Sequence, residues 1–168
     1  VNTSNPGKRE EYGRYLSTFP LEYSDIDLSE PDADEFTVLA YKAAQVPEGF
    51  LVEDSVLRVE GQPEVGVNIR WVVESGQIRQ LVGRAASFAV HLGLPYQGSV
   101  YHYVGLVEGT LTSPRGSAGF GFDRYFLPRG AHRTLGQEKP LHSNPRYLAC
   151  LKLMQDKHDH VLKPVPSW

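Results

Sequence analysis

The chain has 168 residues, of which 40% are hydrophobic and 22% charged, with one cysteine and a formal net charge of -3. That length predicts one domain, residues 1–168, burying about two-thirds of its unfolded surface without help from disulfides or a structural metal. A slightly acidic chain with no lysine or arginine run excludes a grip on a polynucleotide backbone, and no apolar stretch or signal-peptide pattern points to a membrane.

Val1-Asn2-Thr3 opens the chain without a methionine, so an initiator and part of a first strand are expected to lie outside it. After the turn Asn5-Pro6-Gly7, Lys8 to Phe19 reads as a helix, with Tyr12, Tyr15 and Leu16 at helical spacing and Pro20 just beyond. Leu21 to Ile26 alternates like a strand, an acidic loop runs from Asp25 to Asp34, and Glu35 to Val46 is helical through Phe36, Leu39, Ala40 and Ala43. Phe50 to Val59 is an apolar strand interrupted by Glu53 and Asp54. Val67 to Val82 predicts one or two helices. Ala85 to Leu92 and Ser99 to Glu108 predict a long hairpin joined by Gly93 to Gly98, followed by a brief strand at Tyr125 and Phe126. Pro145 to Asp156 reads as a last helix before a proline-ended tail, and its Cys150, among Tyr147, Leu148, Leu151 and Met154, reads as a small core residue. The order predicts a mixed α/β fold around one twisted sheet. A single cysteine fits a reducing setting, and a soluble cytoplasmic protein is expected.

Four segments could carry chemistry. Ser113 to Asp123 packs Gly116, Gly119 and Gly121 with Phe120, Phe122 and Asp123. Glycines allow positive φ and close backbone approach, the phenylalanines offer faces to a flat ring, and the carboxylate accepts at its edge. A glycine-rich turn whose phenylalanines enter the core is the alternative. Thr3-Ser4-Asn5-Pro6-Gly7-Lys8 places hydroxyls, an amide and an ammonium at a helix start, where the dipole favours an anion, although a plain helix cap has the same composition. Glu53-Asp54 is the candidate for metal and catalysis: strand alternation sends neighbouring carboxylates to opposite sides, and magnesium needs only one or two of them. Glu35, at the preceding helix start, could add an oxygen. Glu138 to Arg146 is either a polar loop with a cap or a place where Lys139 and Arg146 converge on a ligand carbonyl. His158 and His160, two apart in the tail, read as solvated.

Taken in order, Thr3-x-Asn5-x-x-Lys8, Val52-Glu53-Asp54-Ser55, Pro114-Arg115-Gly116-x-x-Gly119-Phe120-Gly121-Phe122-Asp123-x-x-Phe126, and Glu138-Lys139 with Ser143 and Arg146 resemble the inosine triphosphate pyrophosphatase family over nearly the whole chain. The resemblance implies a single elongated α/β domain, its central twisted mixed sheet flanked by helices around a substrate cleft, and a homodimer. It implies magnesium-dependent hydrolysis of inosine, deoxyinosine and xanthosine triphosphates to the monophosphate and pyrophosphate. Carried over by position, Thr3, Asn5 and Lys8 would bind phosphate; Asp54 would be catalytic and, with Glu53 and Glu35, hold Mg2+. Phe120, Phe122 and Asp123 would hold the base, and Lys139 and Arg146 would meet its 6-oxo group. Both are donors, so adenine's amino group would leave them unpaired.

The family pattern is broken in places. Val56 stands where Asp-Asp-Ser-Gly has glycine, Arg124 where proline is usual, and Ser143-Asn144-Pro145-Arg146 replaces Ser-His-Arg, with His142 the nearest histidine. Two further readings therefore stay open: a nucleotide-binding or sensing protein without turnover, and a pyrophosphohydrolase for a different modified nucleotide.

Overall fold

A computed structural model describes residues 1–63 and 69–164. Among them the elements run α1 (Pro6–Tyr15), α2 (Glu35–Ala43), β1 (Val52–Val59), α3 (Ile69–Glu74), β2 (Ala85–Tyr96), β3 (Ser99–Leu111), β4 (Phe126–Pro128), α4 (Pro145–Met154) and β5 (His160–Leu162). Short 3-10 turns lie at Gln77–Leu81, Asp123–Tyr125 and Leu141–Ser143. The strands form one sheet in the order β1-β2-β3-β4, with β5 added to β3, so the fold is the expected α/β class. The 13 residues of β3 leave room for two antiparallel partners, β4 on residues 109–111 and β5 on residues 100–102. A parallel pairing occurs as the isolated bridge Asn2–Ser24. No helix among the described residues is long and apolar enough to cross a membrane.

The chain divides into two compact units, each made of separated segments. The first joins Val1–Asp54 and Val90–Gly105 to the chain from Arg146 onward. Its core gathers Leu39, Ala43, Val52 and Val100, with Leu28, Val46 and Leu162 packed on it. Fully burying Leu39, Val52 or Val100 contributes about 1.5–3 kcal/mol each. The second unit, Ser55–Ala89 and Leu106–Pro145, is centred on Phe88, whose ring meets Phe122 at 4.5 Å and Phe126 at 5.9 Å between centroids.

Departures from the predicted elements have local causes. α1 starts earlier than Lys8 because Asn5 caps it, its side chain accepting from the Lys8 N–H, and Pro6 suits the first helical position. It stops at Leu16, where φ -110° and ψ 31° leave the helix, ahead of Ser17 and Thr18, whose hydroxyls compete for backbone partners. The strand expected at Leu21–Ile26 shrinks to the Ser24 bridge: Tyr23 and Ile26 are exposed, so no apolar face extends the pairing. The hairpin loop is tighter than expected. Gln97 and Gly98, at φ 51° and 79°, turn the chain by themselves, so residues 93–96 join β2. Gly76, at φ 78°, separates α3 from the following 3-10 turn; Val67 and Asn68 lie outside the described residues. β5 was not expected, because the tail read as solvated.

Candidate functional site

In the first unit the N-terminal turn is built as a cap. Thr3 Oγ1 accepts from the Asn5 N–H at 3.2 Å, Asn5 Oδ1 accepts from the Lys8 N–H at 3.1 Å, and the Thr3 carbonyl accepts from Arg9 Nε at 2.7 Å. The polar groups of Thr3 and Asn5 thus fix the loop, and the positive end of α1 lies there together with Lys8. The Lys8 ammonium, a quarter exposed, sits 2.5 Å from Glu53 Oε1.

Strand alternation separates Glu53 from Asp54, as the sequence predicts. Glu53 meets α1 and α4: Tyr12 donates its hydroxyl to Oε2, Arg146 donates Nε to the same oxygen at 3.1 Å, and Arg146 Nη1 reaches Glu11 Oε1 at 2.9 Å. Arg146 is 1% exposed, and Glu11, Tyr12 and Glu53 are buried with it. Burial alone would raise the Glu53 carboxyl, but the charges of Arg146 and Lys8 and the Lys8 and Tyr12 hydrogen bonds hold it far below the usual carboxylate range. Burial, with the neighbouring Glu53 charge, pushes the Tyr12 phenol well up. Glu53 is therefore a permanent anion at the centre of a cationic cage. Cys150, fully buried as expected, has its thiol pushed up to about 12 by burial and is inert at neutral pH.

Asp54 faces α2. Lys42 Nζ lies 3.8 Å from its Oδ1, held by the Glu53 carbonyl at 3.0 Å and by Glu30 at 2.6 Å. Burial raises the Asp54 carboxyl; Lys42 opposes this, while Glu30, Glu53 and Glu35 add to it, and the result is about 7. Its Oδ2 is buried and has no hydrogen-bond partner among the described residues. Such an atom is costly unless something binds it. A divalent cation held by one carboxylate, with other oxygens completing its shell, would satisfy that oxygen. Among the described residues no group of three or more His, Cys, Asp or Glu is gathered for a metal, so Glu35 and Glu53 do not close a protein-only shell with Asp54. Glu53, committed to three partners, is poorly placed to ligate.

The glycine-aromatic loop belongs to the second unit. Gly116, Gly119 and Gly121 have φ of 86°, 75° and 60°, the positive angles that glycine allows. A side chain on Gly116 would collide with the Gly136 carbonyl and one on Gly119 with the Asp123 carboxylate, so the loop closes only over glycine. Asp123, 2% exposed, accepts from the Phe120 N–H and from Lys139 Nζ, each at 2.9 Å. Lys139 Nζ lies 4.3 Å from the centroid of the half-buried Phe120 ring. Phe122 turns inward against Phe88 and Phe126 and is 6% exposed, which is the core alternative realised at one of the two phenylalanines. The loop thus presents Phe120, Asp123 and Lys139 as a group. Arg146, expected beside Lys139, commits Nε and Nη1 to Glu53 and Glu11.

Sequence reasoning missed Glu11 and Tyr12 as polar partners of Glu53, and Lys42 and Glu30 as partners of Asp54. Tyr12 was legible as a core position of α1, and Lys42 lies seven residues after Glu35, two turns along α2. The identity of their partners had no local signal.

The model of the Ham1 family matches residues 1–155. A dITP/XTP pyrophosphatase of Thermococcus kodakarensis is 35% identical over 153 residues, covering 80% of this chain and 82% of the relative. One from Pyrococcus horikoshii is 31% identical over 152 residues, covering 80% and 81%. Among solved structures, a nucleoside-triphosphatase / dITP/XTP pyrophosphatase from Mycobacterium abscessus superposes with a TM-score of 0.60 at 23% identity, covering 92% of this chain and 97% of that one.

Proposed function

The chain belongs to the Ham1 family, and on that footing we propose that it hydrolyses deaminated purine nucleoside triphosphates to the monophosphate and pyrophosphate. The observation that carries the reading is the buried Asp54 Oδ2 without a partner, one residue from a carboxylate paired to Lys8. Asp54, with Glu35 in electrostatic reach, would hold the divalent cation. When bound, that ion would supply positive charge to the phosphate oxygens and to departing pyrophosphate. The family resemblance extends the reading to Mg2+ and to a homodimer in the cytoplasm.

The positive end of α1 and the Lys8 ammonium orient the triphosphate. Water adds to the α-phosphorus, the bond from that phosphorus to the bridging oxygen breaks, and pyrophosphate leaves with the bond electrons. Asp54 would orient the attacking water and take up its proton. In the second unit, Phe120 offers a ring to the base, and Lys139 and Asp123 offer a donor and an acceptor at its edge. A 6-oxo group accepts from Lys139, whereas a 6-amino group meets donor with donor, costing about 1–3 kcal/mol.

Pyrophosphate release with Mg2+ from inosine, deoxyinosine, xanthosine, guanosine and adenosine triphosphates tests this. Turnover confined to the deaminated purines is expected; equal turnover of adenosine triphosphate overturns the assignment. A second reading, a different modified nucleotide, is favoured by the engagement of Arg146 with Glu11 and Glu53 rather than a ligand, and a wider panel of bases separates the two.

A further inference from the structure

Three histidines that the reaction does not use are joined in the first unit. His91 on β2 places Nδ1 2.8 Å from Nε2 of His102 on β3, and His102 Nδ1 lies 3.1 Å from Nδ1 of His160 on β5. His102 and His160 are direct partners in the β3–β5 register. The rings stack, at 5.1 Å and 5.3 Å between centroids, and the Phe36 ring of α2 stands edge-on to all three. His91 and His102 are buried and His160 is exposed.

Proton counting limits what this chain of rings can carry. Each nitrogen-to-nitrogen contact needs one proton, so the four facing nitrogens of the two contacts hold two protons between them. The outward nitrogens, Nε2 of His91 and Nε2 of His160, hold at most two more. Four protons on three rings is one above neutrality; a fifth places two N–H groups face to face and a contact must open. The charged groups acting on the central ring are Asp159, just before β5, which favours its protonation, and Lys152 on α4, which opposes it. Asp159 is itself tied to Lys152 at 2.8 Å and to the Val104 N–H at 2.9 Å, and α2 lays the neutral Phe36 ring against all three imidazoles.

We propose that His91, His102 and His160 form a proton-limited latch that holds β5 against β3 while the chain of rings carries no more than one added proton, and that releases β5 when a second arrives. Burial, with His91 and His160 beside it, lowers His102 to about 4, in keeping with a centre that refuses protons which a free imidazole accepts near 6.5. The folded-state value is depressed, so the latch contributes its full stability above about 6.5 and loses it as pH falls toward 4. An unfolded chain binds three protons on these rings where the folded one binds one. The gap of two makes the folding equilibrium constant fall by up to about 100-fold per pH unit. With His160→Gln the remaining pair still accepts one proton, the gap is one, and the fall is about tenfold per unit.

The test is urea unfolding of the wild-type chain and of His160→Gln from pH 7.5 to 4.5, with the carboxylate contribution common to both. The wild type is expected to lose about tenfold more of its folding constant per unit around pH 6 to 5. Parallel curves overturn the proposal. On the wild-type protein, imidazole nitrogen NMR is expected to show the three rings taking up one proton together before β5 amides lose exchange protection ahead of those of β4. Three independent titrations near 6.5 with native shifts retained, or simultaneous loss of protection in both strands, overturns it.

Discussion

Glu53→Gln at the centre of the cationic cage is the sharpest test of how the first unit is held together. The substitution keeps shape and removes only charge. Gln can still accept through one oxygen from Tyr12 or from Arg146 Nε at 3.1 Å, but the Lys8 ammonium at 2.5 Å and most of the Arg146 charge lose their counter-ion. Arg146, 1% exposed, then depends on Glu11 alone for a counter-charge among these contacts. Removing one member of a buried pair costs about 3–5 kcal/mol, because the charge left behind has been taken out of water. That is about a fifth or more of the roughly 5–15 kcal/mol that keeps an ordinary domain folded. Urea unfolding at pH 7 measures it, and the triple variant Glu11→Gln/Glu53→Gln/Arg146→Met is expected to be more stable than Glu53→Gln alone, since Arg146 and Glu11 are neutralised together and neither is left as a buried unpaired charge. The Glu53 carboxyl is depressed in the folded state, so its stabilisation is present above the unfolded value near 4.3 and is lost as pH falls below it. The gap between wild type and variant should therefore close in acid. A loss under about 1 kcal/mol at pH 7, or a gap that widens in acid, would refute the cage as the source of stability.

Asp54→Asn should cut pyrophosphate release by at least about 100-fold, as expected for the loss of a general base, while the unfolding midpoint holds or rises because a buried carboxyl raised to about 7 has been neutralised. Steady-state turnover and a denaturation curve on one preparation read both. Phe120→Ala should raise KM by roughly 5- to 150-fold with kcat nearly unchanged, from a stacking contribution of about 1–3 kcal/mol; an unchanged KM places the ring in a structural role. Gly119→Ala puts a methyl group against the Asp123 carboxylate at φ 75° and should cost about 1–3 kcal/mol in backbone strain together with loss of base binding, both visible by calorimetry with and without nucleotide.

Features governed by neighbours in sequence were legible in it. The turn at Asn5-Pro6-Gly7 marked a helix to follow, though α1 already begins at Pro6, the β-branched and aromatic alternation announced the hairpin, and period two put Glu53 and Asp54 on opposite sides. The three glycines of Ser113 to Asp123 allow positive φ, and all three have it. Which phenylalanine turned inward was not legible, because Phe120 and Phe122 are identical in type and the choice is made by Phe88, more than 30 residues earlier. Arg146 was expected at a ligand because its partners, Glu53 and Glu11, lie 93 and 135 positions away and leave no mark on its own segment. The three residues of β5 are too few for a period to emerge, so His160 read as solvated rather than as a partner of His102.

The 93 positions that separate Glu53 from Arg146 also carry a meaning for biosynthesis. The first unit opens with residues 1–54 but is completed by chain from Arg146 onward, so its earliest portion leaves the ribosome without the arginine that makes its carboxylate tolerable in the interior. At about 5–20 residues per second, that wait is on the order of ten seconds. Over this interval Glu53 has no Arg146 to pair with, so the cage cannot close on residues 1–54 alone.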